Sequence, residues 1–191
     1  MYDYLTKVSS VLRSGANVSD FADSMSQTQY VSKKWFVDIL ARHNYTPNPT
    51  ILILGGWYGS YLVPMLNDAL NPKKIHFNDK NRNCIEVASI LHRGSNIDFH
   101  CFDATTDVFD KRVDIIVNTS CEHMGSYDAM LSNHEKCLYA LQTCDNKNDP
   151  GHINISSSTE EFLKKLNLNH VIFAGRRDLG HKNRFTVLGQ K

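Results

Sequence analysis

Residues 51–60, Ile-Leu-Ile-Leu-Gly-Gly-Trp-Tyr-Gly-Ser, constrain the fold of this 191-residue chain more than any other stretch. Four consecutive apolar residues bounded by glycine fit a strand covered on both faces, as in the middle of a parallel sheet. A glycine-rich turn follows, and then a segment suited to a helix over 60–70. In an open parallel sheet this is where main-chain N–H groups at a helix start meet the polar part of a ligand. Gly55, Gly56 and Gly59 keep side chains out of the ligand's way and tolerate positive φ.

Apolar runs and helical patterns alternate downstream. Strands are expected over 74–78, 97–102, 113–117 and 137–143, with helices over 81–91 and 127–131. Ser158 and Glu161 match a capping box and open a further helix. The last strands, 170–175 and 184–188, are separated only by residues 176–183, too few for a helical crossover, so they pair antiparallel. Ahead of the first strand, Val31, Trp35, Phe36, Ile39 and Leu40 recur at helical spacing, while Lys33, Lys34, Asp38 and Arg42 fall on the other side. Residues 1–46 therefore form a helical cap, closed by Pro47 and Pro49. The expected architecture is one domain over 1–191. It comprises that cap and an α/β core over 50–191, a three-layer α/β/α sandwich with a mostly parallel seven-stranded sheet and an antiparallel last strand.

Net charge is +1, which gives no general pull toward nucleic acid or an acidic membrane. No apolar run approaches the roughly 20 residues that span a bilayer, and the first residues do not read as a signal peptide. Five cysteines form no CxxC pair and read as reduced thiols of a cytoplasmic protein. Cys121, His123, His134 and Cys137 match no familiar zinc spacing, so no metal is expected. A P-loop motif does not occur.

The candidate polar residues follow the C-terminal ends of the expected strands: Asp79 after the second, Asp103 after the third, and Asn118 with Glu122 and His123 after the fourth. In this order and spacing, Ile51–Gly59, Asp79 in Ile75-His76-Phe77-Asn78-Asp79, Asp103 in Phe102-Asp103-Ala104, Val113–Asn118 with Glu122-His123-Met124, and the final Arg184–Gly189 strand resemble the motifs of class I S-adenosylmethionine-dependent methyltransferases, with a Rossmann-like fold. The resemblance covers about residues 50–191. It implies S-adenosyl-L-methionine as cofactor, held by Gly55, Gly56, Trp57, Tyr58, Gly59, Asp79, Lys80, Asp103, Ala104 and Asn118. Asp79 suits two ribose hydroxyls, because a carboxylate accepts two charge-assisted bonds at once. The resemblance assigns Asp103 to the adenine amino group. Two positions depart from the family pattern: Ile53 stands where many members carry an acid, and Trp57 where many carry glycine. Trp57 and Tyr58 either wall the pocket or pack helix on sheet.

Methyl transfer needs mainly an aligned acceptor, and a base only where the acceptor must lose a proton. Asn118 is placed to orient an acceptor, and Glu122 or His123 to take a proton, unless those two simply open the next helix. His152, Asn154 and Ser156 are further polar candidates in the loop beyond the fifth strand. Arg176, Arg177, Lys182 and Arg184 either bind an anionic acceptor or form a solvated turn. The acceptor is expected to be a small molecule or nucleotide-like. Nucleic acid is not favoured, no membrane partner is expected, and oligomeric state is open. The alternatives are a non-catalytic or non-methylating S-adenosylmethionine-binding protein of the same fold, or a NAD-dependent oxidoreductase.

Overall fold

The computed structural model describes residues 2–132, 137–149 and 151–191. The cap consists of α1 (Tyr2–Arg13), α2 (Val18–Ser24) and α3 (Gln27–His43). Asn17 and Ser26 start α2 and α3, each accepting a hydrogen bond from the N–H three residues on. The core runs β1 (Thr50–Leu54), α4 (Leu62–Leu70), β2 (Lys74–Asn78), α5 (Arg82–Leu91), β3 (Ile97–His100) and β4 (Ile115–Asn118). A 3-10 turn, Cys121–His123, precedes α6 (Asp128–Ser132), β5 (Leu138–Cys144), α7 (Thr159–Leu166), β6 (His170–Asp178) and β7 (Asn183–Gln190).

The seven strands form one sheet in the order β3-β2-β1-β4-β5-β7-β6. Pairings among the first five are parallel, and β7 runs antiparallel to both of its neighbours. The chain steps outward from β1 to β3 and then returns to the other side of β1 as β4. Loops leaving β1 and β4 therefore diverge, which opens a crevice at the strand ends.

Alternation along β1 explains its unbroken apolar run. Ile51 and Ile53 pack with Phe36 and Leu40 of α3 and with Leu62 and Leu66 of α4. Leu52 and Leu54 face the opposite layer, with Met130 of α6 and Phe162 and Leu166 of α7. A third cluster joins cap to core: Val11 and Phe21 pack with Tyr58, Cys84, Val87 and Leu91.

Several bounds differ from expectation for local reasons. β3 stops at His100, because the Asn78 side chain bonds both N–H and C=O of Phe102 in place of the next ladder rung. β6 runs on to Asp178, because Leu179 N–H reaches Lys182 O at 3.0 Å and closes a tight turn. Ser158 caps α7 as expected, but Glu161 returns its bond to Ser157 N–H at 2.8 Å. Lys34 and Asp38 are exposed and paired, whereas Lys33 leaves their face and donates to Thr119 Oγ1 at 2.8 Å. All five cysteines are free thiols. No helix among the described residues is long and apolar enough to cross a membrane.

Candidate functional site

A cleft of about 1190 Å³ opens where β1, β2 and β4 end. That exceeds the roughly 300–1,000 Å³ typical of a single small-molecule site, so a second molecule has room. Its walls come from the cap (Asn17, Asp20, Asp23, Lys33), the turn over 55–59, Asp79 with Lys80, and Asp103 with Ala104. Thr119, Glu122, His123, the loop around His152, Lys182 and Arg184 complete them.

At one end the glycine turn is fixed from below. Gly56 N–H donates to Asn78 O at 2.9 Å. A side chain at Gly56 or Gly59 would run into the Phe77 ring, so both glycines are required by packing on β2. This packing role adds to the expected ones, and Gly55 and Gly59 do adopt positive φ. Trp57 adopts φ +53°, the left-handed conformation that costs a non-glycine residue roughly 1–2 kcal/mol. Its N–H donates to Asp79 Oδ2 at 2.8 Å, which holds the turn in place. Trp57 stacks on Tyr58 at 5.2 Å, and Tyr58 is buried against Phe21 of the cap. Both rings therefore wall the cleft and pack the cap.

Asp79 Oδ1 accepts from Asn81 N–H at 2.9 Å, so each carboxylate oxygen carries one main-chain donor and keeps further acceptor capacity. Burial raises its pKa, opposed by those two backbone bonds. Asp103 is more exposed. Its Oδ1 takes both N–H and Oγ1–H of Thr105, which lowers its pKa, and Oδ2 is left for other partners. Lys80 stands exposed at the rim, and Ala104 is buried in the wall.

The other end is a network of side chains. Arg184 is buried. Its Nη1 meets Glu122 Oε1 at 2.6 Å, Nε reaches Gln142 Oε1 at 3.0 Å, and Nη2 donates to Thr119 O. Ser32 of α3 donates to the same Gln142 oxygen at 2.9 Å. Burial alone would raise the pKa of Glu122, but the adjacent guanidinium prevails and holds it ionised. Lys33 is desolvated and lies near Arg184, which together bring its pKa down to about 7. His123 is exposed at the rim with Nδ1 on Gly151 O at 2.9 Å.

Asn118 corrects an expectation. It is buried at the end of β4 and does not line the cleft. Its Oδ1 accepts from Ser120 N–H at 2.8 Å, and its amide donates toward the sulfurs of Met124 and Met130. The side chain thus shapes the turn that follows β4. Arg176 and Arg177 are exposed on β6, Arg177 directly opposite the buried Arg184 in the ladder, and only Lys182 and Arg184 of the four line the cleft. His134 lies outside the described residues, and Cys121 is buried with Sγ on Asn118 O.

No protein-family model matches the sequence, and no curated protein matches it. Solved structures do match. A SAM-dependent methyltransferase from Aquifex aeolicus superposes with a TM-score of 0.65 at 14% identity, over 87% of this chain and 95% of that one. Magnesium protoporphyrin IX methyltransferase from Synechocystis, with bound SAH, gives 0.62 at 13% identity over 84% of each chain. A chain from the complex between the Haloferax volcanii Trm112 methyltransferase activator and a methyltransferase gives 0.64 at 12% identity, over 92% and 96%.

The fold is that of the class I S-adenosylmethionine-dependent methyltransferases.

On this methyltransferase fold, sequence reasoning missed Lys33, Asp20 and Asp23 as cleft residues. Nothing in the helical pattern of the cap shows which polar face meets the sheet ends.

Proposed function

We propose that the chain is an S-adenosylmethionine-dependent methyltransferase acting on a small-molecule or nucleotide-like acceptor. The observation that carries this is the meeting of Asp79, Asp103 and the 55–59 turn on one cleft with space for two ligands. The residues fit the cofactor. Asp79 keeps acceptor capacity on both oxygens for ribose hydroxyls, and Asp103 Oδ2 is free for an exocyclic amine. Ile53 is fully buried and supplies no acid. Asp20 and Asp23 of α2 line the cleft instead, and they supply the carboxylate for the donor's ammonium group.

S-adenosylmethionine provides a methyl group on a sulfonium, with a neutral thioether as leaving group. The chain's own task is positioning: an acceptor atom held in line at about 3–3.5 Å gains roughly 7–11 kcal/mol in favourable cases. Thr119, Lys33, Glu122, Lys182 and Arg184 surround the space for that acceptor. Lys33, with its pKa brought to about 7, is the better-matched base, since its free amine is present near neutrality. Glu122, held below the usual carboxylate range by Arg184, is a weaker base that orients instead. The low net charge and the enclosing cap favour a small acceptor over a long nucleic acid.

Calorimetric titration with S-adenosylmethionine, S-adenosylhomocysteine and NAD tests this. The first two should bind at one per chain and NAD should not. Binding of NAD without S-adenosylhomocysteine would replace the proposal with an oxidoreductase. Turnover of donor to S-adenosylhomocysteine over a panel of small acceptors then separates transfer from mere binding.

A further inference from the structure

The wall of the cleft at its Glu122 end contains a cluster of metal-ligating groups, of which Glu122 alone also borders the proposed acceptor space. A carboxylate oxygen of Glu122, the Cys144 sulfur and a ring nitrogen of His152 all lie within 4.8 Å of one another. They come from three places: the 3-10 turn after β4, the last residue of β5 and the loop beyond it. Such convergence of hard, borderline and soft donors suits zinc and its neighbours rather than calcium or magnesium.

Two further observations point the same way. Glu122 is 3% exposed, and its Oε2 has no hydrogen-bond partner among the described residues. A buried, ionised oxygen left unpaired costs more than the roughly 1–3 kcal/mol of a neutral group, so a fold that keeps one leaves it for a ligand. The outer contacts are also of the kind that orient metal ligands. Arg184 holds the other oxygen of Glu122 at 2.6 Å, and Asp149 Oδ2 lies 3.4 Å from His152 Nε2. His152 Nδ1 sits 3.6 Å from Cys144 Sγ and donates to Asn146 O at 2.7 Å.

We propose that Glu122, Cys144 and His152 bind one divalent transition-metal ion of the zinc class. Binding releases the Cys144 proton to solvent. The imidazole proton leaves Nδ1, breaking its hydrogen bond to Asn146 O, and is replaced by one on Nε2, which donates a hydrogen bond to Asp149 Oδ2. Three protein donors leave a fourth tetrahedral position, the arrangement of catalytic rather than structural zinc. Glu122 and His152 both line the cleft, so a ligand for that position would come from there. The adenosine end of the cleft does not enter this assignment, and Glu122 is the one ligand shared with the proposed acceptor space. A second group, His76, Asp98 and His100, is a poorer choice, because the Asp98 side chain is 43% exposed and no member keeps a buried side-chain oxygen without a partner.

Cobalt(II) titration of the metal-free full chain tests the site, since a cobalt–thiolate bond gives a charge-transfer absorption that zinc then abolishes by displacement. The folded protein should take up one equivalent with that band, and C101S, which removes the exposed thiol, should leave it unchanged. C144S should lose the band while circular dichroism stays native. D149N should weaken cobalt binding by about tenfold, and H152A by more than about 100-fold. The band persisting in C144S, H152A binding as tightly as wild type, or no cobalt bound by the folded wild-type chain would each overturn the proposal.

Discussion

The two ends of the cleft are built by opposite means. At the glycine-turn end, polar contacts run from main chain to one carboxylate over short sequence distances: Asp79 meets Trp57 at a separation of 22 and Asn81 at 2. At the Glu122 end they are side chain to side chain and distant: Arg184 to Glu122 at 62, Lys33 to Thr119 at 86, Ser32 to Gln142 at 110. The first end can lose a contact and keep its turn, because packing of Gly56 and Gly59 on Phe77 also holds it. The second has a buried charge whose only ion partner among the described residues is Arg184, so it is brittle.

The largest expected effect breaks that brittle end. R184M removes the cation from a buried, ionised Glu122 and should destabilise the fold by about 3–5 kcal/mol in urea unfolding. A loss of under about 1 kcal/mol would mean that the two ends are equally tolerant. Acid should instead loosen the turn end first. His92, behind the turn, bonds Tyr58 O at 2.9 Å and is held neutral by burial, with its pKa lowered from 6.5 to about 4. The unfolded chain takes up that proton first. The contribution is therefore complete above about pH 6.5 and is lost as pH falls toward 4, about 3 kcal/mol in all at 1.36 kcal/mol per pKa unit. Buried His76 and half-buried His100, also lowered, act in the same direction. H92Q keeps a donor for Tyr58 O without titrating and should flatten this fall between pH 7 and 4.5. An unchanged slope would place the acid sensitivity elsewhere. Smallest is D38A, which removes an exposed pair with Lys34 one turn from Lys33 and should cost no more than about 0.5 kcal/mol.

The same contrast governs what the sequence makes legible. Strand ends, the glycine turn and the acids at 79 and 103 are local patterns, because a buried parallel strand must be apolar and its exit must turn. The sheet, the cap and the antiparallel hairpin could all be read this way. The Arg184–Glu122–Gln142 network could not, since each member is an ordinary polar residue in its own segment and only the sheet order sets them side by side. Asn118 is hidden for a related reason: a strand-end position suggests exposure to the cleft, but its side chain turns inward to Ser120, Met124 and Met130. Helical spacing puts Lys33 on the solvent face with Lys34, yet its side chain reaches Thr119 beyond the end of β4.

Calorimetric titration of S-adenosylhomocysteine into D79A beside K33M, with both folded by circular dichroism, tests the central claim most directly. The account predicts that D79A weakens binding by about 1.5–3 kcal/mol, as expected for lost charge-assisted hydrogen bonds. It predicts that K33M stays within about twofold, or 0.4 kcal/mol, of wild type. Wild-type affinity in D79A, or a larger loss in K33M than in D79A, would contradict the assignment of adenosine to the glycine-turn end.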